Sequence, residues 1–395
     1  MKHTYREEKL AFFSMIIIFP GFFIYNYLLS LKIIMNIPYM TITPLLSVFI
    51  FSIIKLIKIK EKNTSLYLIE CIFFLFIIYN LTIASINLIF NNKLKIDIFI
   101  WNIQQTIQLI CLYIIGKYIF FTQKLKRQLL LLSTLIMVIF YLKFNSQRYL
   151  HFSLSGEGTS NYMSLGNVMF ITFLMTYYNI NNTFFKFIFF ILSTLILLLL
   201  GARSELLVYV LCIPFFYIIN TKKHIQTMLF LLIPIILFIF STNLSFIIEI
   251  IPESRITDLF ENKEKATSII ARIRLLNNGM NSILDNPILG DYGSYTLLPG
   301  QGIGSYIHNI LSAWVNLGIL GFMIQVLLLL FLIKGIFDFK NHPSNISKFY
   351  ISLAFSTILM LIFSKQYLYM HLGFCIGLIA NIKSNKSLLK LTGKK

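Results

Sequence analysis

Three stretches of the sequence put charged or titratable side chains at the edges of long apolar runs. Arg203 lies in "LLLLGARSELLVY", Arg272 and Arg274 in "ARIRLLNNGMNSILDNPILG", and His308 and Asn309 in "SYIHNILSAWVNLGILGF". A guanidinium stays charged at any relevant pH and offers a planar fork of donors that suits phosphate or carboxylate oxygens. An imidazole with an ordinary pKa near 6.5 can accept a proton when neutral. Each residue also has a plainer reading. Arg203 can be a snorkelling arginine paired with Glu205. Arg272 and Arg274 can anchor an amphipathic helix at lipid headgroups. His308 can be an interfacial residue, and Asn309 can simply start a helix.

What must position these residues is a membrane bundle. Hydrophobic residues make up 57% of the chain and charged ones only 12%, more apolar surface than a soluble domain can hide. Many apolar runs are roughly 18 to 25 residues long, enough to cross a bilayer as helix. The expected fold is all-α, one polytopic integral membrane domain over residues 1–395 with about twelve spans. Approximate limits are 10–31, 38–57, 66–90, 98–121, 128–142, 161–179, 184–200, 204–220, 225–248, 306–333, 349–364 and 366–381. The N-terminal "MKHTYREEKLAFFSMIIIF" starts like a signal peptide, but no small-residue cleavage site follows, so it reads as a retained first span. Cys71, Cys111, Cys212 and Cys375 lie in apolar runs, with neither metal-ligand spacing nor a disulfide framework.

The net charge of +19 raises nucleic acid as a partner. The lysines argue instead for topology. With a cytoplasmic N-terminus, "KLIKIKEK", "TQKLKR", "NTKKH" and "KSNKSLLKLTGKK" all fall inside, giving about 21 basic residues inside against about 12 outside. Both termini are expected in the cytoplasm, with anionic lipid as neighbour and no nucleic acid. Two outer segments are long. One is "KFNSQRYLHFSLSGEGTSN", whose Glu157 between glycines is a candidate contact for a polar ligand or part of a surface loop. The other runs over 249–304, roughly 56 residues, beyond ordinary loop length.

That long loop contains an expected helix from about Ser268 to Leu284, stopped before Asn286–Pro287. Ile269, Ile273, Leu276, Met280 and Ile283 fall on one face at helical spacing. Arg272 flanks that face, and Arg274 points nearly opposite, toward water. The fourth span is unusually polar. Gln104, Gln108 and Cys111 share one face, expected to meet the bundle interior or a watery cavity, with interhelical hydrogen bonds as the alternative to ligand binding. Gly318 and Gly321 read as small residues that let helices pack closely.

There is no P-loop, dinucleotide fingerprint, HExxH or Cys–His cluster, and the first outer loop, "KIIMNIPYMTIT", has no acid. No nucleotide, metal or other cofactor is expected at the outer face. The ordered set of stretches "GARSELLVYVLCIPFF", "ARIRLLNNGMNSILDNPILG" and "YIHNILSAWVNLGILGF" resembles the bacterial O-antigen polymerase and O-antigen ligase family. The three cover about a third of the chain, in the family's order and on one side of the membrane. The resemblance implies a multi-pass inner-membrane glycosyltransferase that takes an undecaprenyl-diphosphate-linked oligosaccharide as donor in the periplasm. It also implies catalytic roles for Arg203, Arg272 and His308, while Asn309 matches the family's pair and Glu157 occupies a family loop. A polysaccharide chain-length regulator is a partner that the resemblance allows.

The chemistry suits these residue types. A lipid diphosphate leaves with its charge already delocalised, so fixed cations help more than an acid. The attacking hydroxyl must lose a proton, and a neutral histidine can take it. The stretch "HNILSAWVNLGILGF" stands closer to the polymerase branch, with the ligase as first alternative. A lipid-linked oligosaccharide flippase is a second. It would show internal repeats and midplane binding residues, neither of which the sequence displays.

Overall fold

The computed structural model describes residues 4–57, 67–90, 96–146, 161–200, 202–220, 267–298, 302, 305–342 and 344–391. Among them every regular element is helical. The first span comprises α1 (Thr4–Ile16), a π-helical turn (Ile17–Gly21) and α2 (Phe22–Ser30). Pro20 lies inside that turn, and the wider turn accommodates a residue that lacks an N–H. There follow α3 (Tyr39–Ile57), α4 (Leu68–Phe90), α5 (Ile96–Tyr118), α6 (Gln123–Ser146) and α7 (Asn161–Asn179). Next come α8 (Thr183–Leu199), α9 (Arg203–Asn220), α10 (Thr267–Asp285), α11 (Ser312–Phe339), α12 (Asn345–Phe363) and α13 (Met370–Leu391).

Among the described residues, six helical stretches are long and apolar enough to cross a bilayer: Glu7–Ser30, α4, α5, Gln123–Leu142 of α6, α11 and α12. Tyr39–Ile54 and α8 are shorter apolar helices. Large apolar side chains such as Phe49, Leu131 and Phe187 are exposed on the outside of the bundle, as a lipid solvent requires. The protein is an all-α polytopic membrane protein. The expected span at 225–248, the loop segment 249–266 and Glu157 lie outside the described residues.

The bundle is knit around α5 and α13, its most extensive helix pair. Gly373 and Gly377 stand four apart on α13, and a methyl group on either would overlap the Leu109 or Tyr113 carbonyl of α5. Their bare faces let the two backbones touch, the packing device of membrane helices. Phe19 of the first span stacks on Phe374 at 6.1 Å between ring centroids, which joins the N-terminal helix to the same core. Near one end of the bundle, Lys117 at the close of α5 meets Glu70 at the start of α4 at 2.6 Å.

The polar face of α5 differs from the sequence expectation. Asn102 and Thr106 are its buried polar residues, whereas Gln104 and Gln108 are half-buried. Asn80 Nδ2 of α4 donates to Asn102 Oδ1 at 2.9 Å, and the reverse bond is 3.2 Å. Short amides fit inside the packed bundle and satisfy each other there. The longer Gln108 reaches sideways, and its Nε2 donates to the Met40 carbonyl of α3 at 2.9 Å. Gln108 therefore serves as an interhelical tie.

Candidate active site

The loop helix and the histidine segment meet at the end of the bundle opposite Lys117. Ile307 is buried with Leu275 and Ile283 of α10, Tyr295 and Val315 in a small second core. Gly279 of α10 faces Ile307 so closely that a methyl group there would lie 3.0 Å from Ile307 Cδ1. The packed stripe of α10 is thus Leu275, Gly279 and Ile283. Ile273, Leu276 and Met280 of the face picked out by the sequence pattern are exposed. The helix carries two apolar stripes, and the one containing the glycine makes the closer approach. Arg272 lies one turn before Leu275 on the packed flank, and Arg274 falls about 200° further round. Both are exposed.

A kink in α11 holds this assembly in place. Gly318 has φ 70°, inside an otherwise helical run, and a Cβ there would overlap the Ile288 carbonyl. The chain after α10 fits into the gap. Asp291 N–H donates to the Val315 carbonyl at 2.7 Å, and Ile319 N–H donates to the Pro287 carbonyl at 3.0 Å. Tyr79 of α4 donates to the Leu317 carbonyl at 3.0 Å. Gly318 is a hinge point for the loop, not the simple helix-packing glycine expected from sequence.

His308 precedes α11, with its Nδ1 3.1 Å from the Ser364 carbonyl at the end of α12. A carbonyl only accepts, so Nδ1 carries the proton of the neutral ring and Nε2 keeps its lone pair. The imidazole lies 4.5 Å from the Tyr306 ring. Burial pushes its pKa down to about 4; the positive charges of Arg272 and Lys365 act in the same direction, against the Ser364 hydrogen bond. The ring is therefore neutral at working pH, with cations close enough to be felt.

Lys365, and its pairing with Glu205, are what sequence reasoning missed. Lys365 Nζ lies 2.7 Å from Glu205 Oε1, both side chains nearly buried. Ser204 Oγ donates to Glu205 Oε2 at 2.9 Å. The sequence suggested that Glu205 pairs with Arg203, two residues before it. The fold brings Lys365 to that carboxylate. A lone lysine in the hop between α12 and α13 looks like a topology charge, and nothing local marks its distant partner. Arg203, the first residue of α9, is half-buried beside this pair in sequence. Asn309 uses its Oδ1 to accept from Leu311 N–H at 2.9 Å, so it shapes the turn into α11. Gln104 lies along α5 and Glu157 outside the described residues. Among the described residues, no three His, Cys, Asp or Glu side chains gather where a metal ion could be held.

Arg203, Arg272 and His308 all lie within residues 188–326, and that segment matches the family model described as O-antigen ligase. Over that segment, about a third of the chain, the protein is similar to the O-antigen ligase family. The matched segment runs from α8 through α10 and the Gly318 kink into α11. Lys365 lies beyond it. Enzymes of this family type are membrane glycosyltransferases of surface polysaccharide biosynthesis, and their substrates are lipid-linked polysaccharides in the membrane. Among curated proteins no sequence matches this chain.

Proposed function

We propose that this protein is an O-antigen polymerase that joins undecaprenyl-diphosphate-linked repeat units at the periplasmic face of the inner membrane, with both termini cytoplasmic. The observation that carries the reading is His308, kept neutral by burial and by the charges of Arg272 and Lys365 and oriented by the Ser364 carbonyl at its Nδ1. An incoming sugar hydroxyl gives its proton to Nε2 of His308 as its oxygen attacks the donor's anomeric carbon. The C–O bond to the lipid diphosphate breaks, and the electron pair leaves with the phosphate. Arg272 and Arg203 face that developing charge as fixed cations, stronger near lipid than in water. The transfer is a direct displacement and inverts the anomeric centre; comparing linkage stereochemistry in donor and product tests it. No step calls for a metal.

The test of function is the glycan ladder. His308→Ala and Arg272→Ala, each expressed and folded, should collapse long chains to a single repeat on lipid A-core. Unchanged ladders sink the proposal. The ligase reading has one specific observation in its favour, the description of the matching family. Deleting the gene separates the two, because loss of a ligase leaves bare core and loss of a polymerase leaves core with one repeat.

A further inference from the structure

Three sectors run along α10. The packed stripe of Leu275, Gly279 and Ile283 faces the histidine segment. Beside it runs a second apolar stripe, Ile273, Leu276, Met280 and Leu284, all of it exposed. Past the helix end this stripe continues into Ile288 and Leu289. Leu284 at 75% and Ile288 at 69% exposure are barer than Leu320 and Met323 of the spanning helix α11, at 54% and 57%. Arg274, Asn281 and Asp285 form the third sector, about 100° or more round from the exposed stripe. A continuous apolar strip on a surface marks a contact with lipid or with protein.

The depth of the strip is set by α11. Between His308 and Lys334 the sequence has no charged residue. A bilayer core takes about 20 helical residues, and that length counted back from Lys334 reaches Trp314. Trp314 therefore marks the membrane boundary on the His308 side, where indoles collect. Its Nε1 donates to the Pro287 carbonyl at 3.0 Å, and its ring stacks on Phe322 at 5.2 Å. Gly318, four residues further on, lies about 6 Å deeper along the helix. The Pro287 and Ile288 carbonyls are seated against this kink. The end of α10 is thus tied to α11 at the depth where its lipid-facing side chains Leu320 and Met323 begin. We propose that α10 docks on the bilayer surface, with Ile273, Leu276, Met280, Leu284, Ile288 and Leu289 in the edge of the acyl region and the sector of Arg274 and Asn281 in water. Lipid is the partner because the strip joins α11 at the margin of its lipid-facing side. This dock is independent of the reaction proposed above. It makes α10 an interfacial helix that lies along the membrane and keeps Arg272 at headgroup level.

Fluorescence in vesicles reads the depth directly. The chain has two tryptophans, so Trp101→Phe with Trp314→Phe gives a silent carrier. Met280→Trp and Leu284→Trp on that carrier report the strip, and Asn281→Trp reports the polar sector. Each full-length variant is reconstituted into phosphatidylcholine vesicles, either plain or brominated near the headgroup end of one acyl chain. Bromine quenches an indole only near contact. Met280→Trp and Leu284→Trp should lose most of their emission in the brominated vesicles, and Asn281→Trp should keep it. A strip covered by a second copy, or by another part of the chain, would leave all three bright and overturn the proposal. Equal quenching at all three positions overturns it as well, because the polar sector would then also lie in lipid. Where the carrier does not fold, the same three substitutions in the parent chain serve instead. Quenching should then exceed that of the parent for Met280→Trp and Leu284→Trp but not for Asn281→Trp, and no such difference between the two faces overturns the dock.

Discussion

Lys365 Nζ stands 2.7 Å from Glu205 Oε1, and this buried ion pair connects the two halves of the candidate site. Glu205 lies in the first turn of α9, which Arg203 opens. Lys365 follows Ser364, whose carbonyl holds His308. One contact therefore ties the arginine's helix to the support of the histidine. Removing one partner of such a pair leaves a buried uncompensated charge, at about 3–5 kcal/mol. We expect Lys365→Met and Glu205→Gln each to lower the melting temperature in detergent markedly. Lys365→Met combined with Glu205→Leu should recover most of that loss, because two apolar groups leave no orphan charge. Single variants as stable as the parent would show that the pair does not hold the site together.

His308 gives a pH prediction whose sign is fixed. Its pKa in the free protein is lowered to about 4 by burial and by the Arg272 and Lys365 charges. The base is ready above that pH and is lost as pH falls through it, so the acid limb of kcat/KM should lie near 4. A bound diphosphate offsets those cations and favours the imidazolium. The acid limb of kcat, which reports the enzyme–substrate complex, should therefore sit at higher pH. Arg272→Gln removes one cation and should move the kcat/KM limb upward, toward the ordinary histidine value. A limb that stays put in Arg272→Gln, measured with purified enzyme and lipid-linked donor, would remove Arg272 from the histidine's electrostatic surroundings.

How much of this was legible in the sequence follows the physics of each signal. Apolar run length marks a helix wherever the chain crosses lipid, so α7 (Asn161–Asn179) falls on its expected 161–179 limits, and helical spacing with the Asn286–Pro287 stop put α10 (Thr267–Asp285) within a residue of its expected ends. Which side of α10 packs was not legible. Both of its stripes are apolar, and only the tertiary contact between Gly279 and Ile307 chooses one. The Lys365–Glu205 pair was invisible for a related reason. A charge in a short hop has the same local pattern whether it meets headgroups or a buried carboxylate, and the partner is set by the packing of α9 against α12.

Gly318 should be intolerant of substitution. Its φ of 70° disfavours any side chain, at about 1–3 kcal/mol, and a methyl group there would also overlap the Ile288 carbonyl. Gly318→Ala is expected to push the 287–291 segment off α11, releasing α10 and with it Arg272. The check is paired: glycan ladders should shorten, and protease should cut the loop faster in the variant. Parental ladders and parental cleavage would mean that the kink does not position the loop.

The two arginines of α10 should differ sharply although they are only two residues apart. Both are exposed, but Arg272 shares the flank of Leu275 and its charge is felt at His308, while Arg274 points away. Loss of a fixed cation from a transition state costs about 10²- to 10³-fold in rate. Loss of an exposed surface charge changes free energies by less than about 1 kcal/mol, within about fivefold. We therefore expect Arg272→Ala to lower turnover by at least about two orders of magnitude and Arg274→Ala to stay within about fivefold of the parent. Arg272→Lys, which keeps the charge but loses the planar fork, should fall between them. Equal losses at 272 and 274 would mean that the helix serves as a headgroup anchor whose basic residues are interchangeable, and the catalytic assignment of Arg272 would go with it.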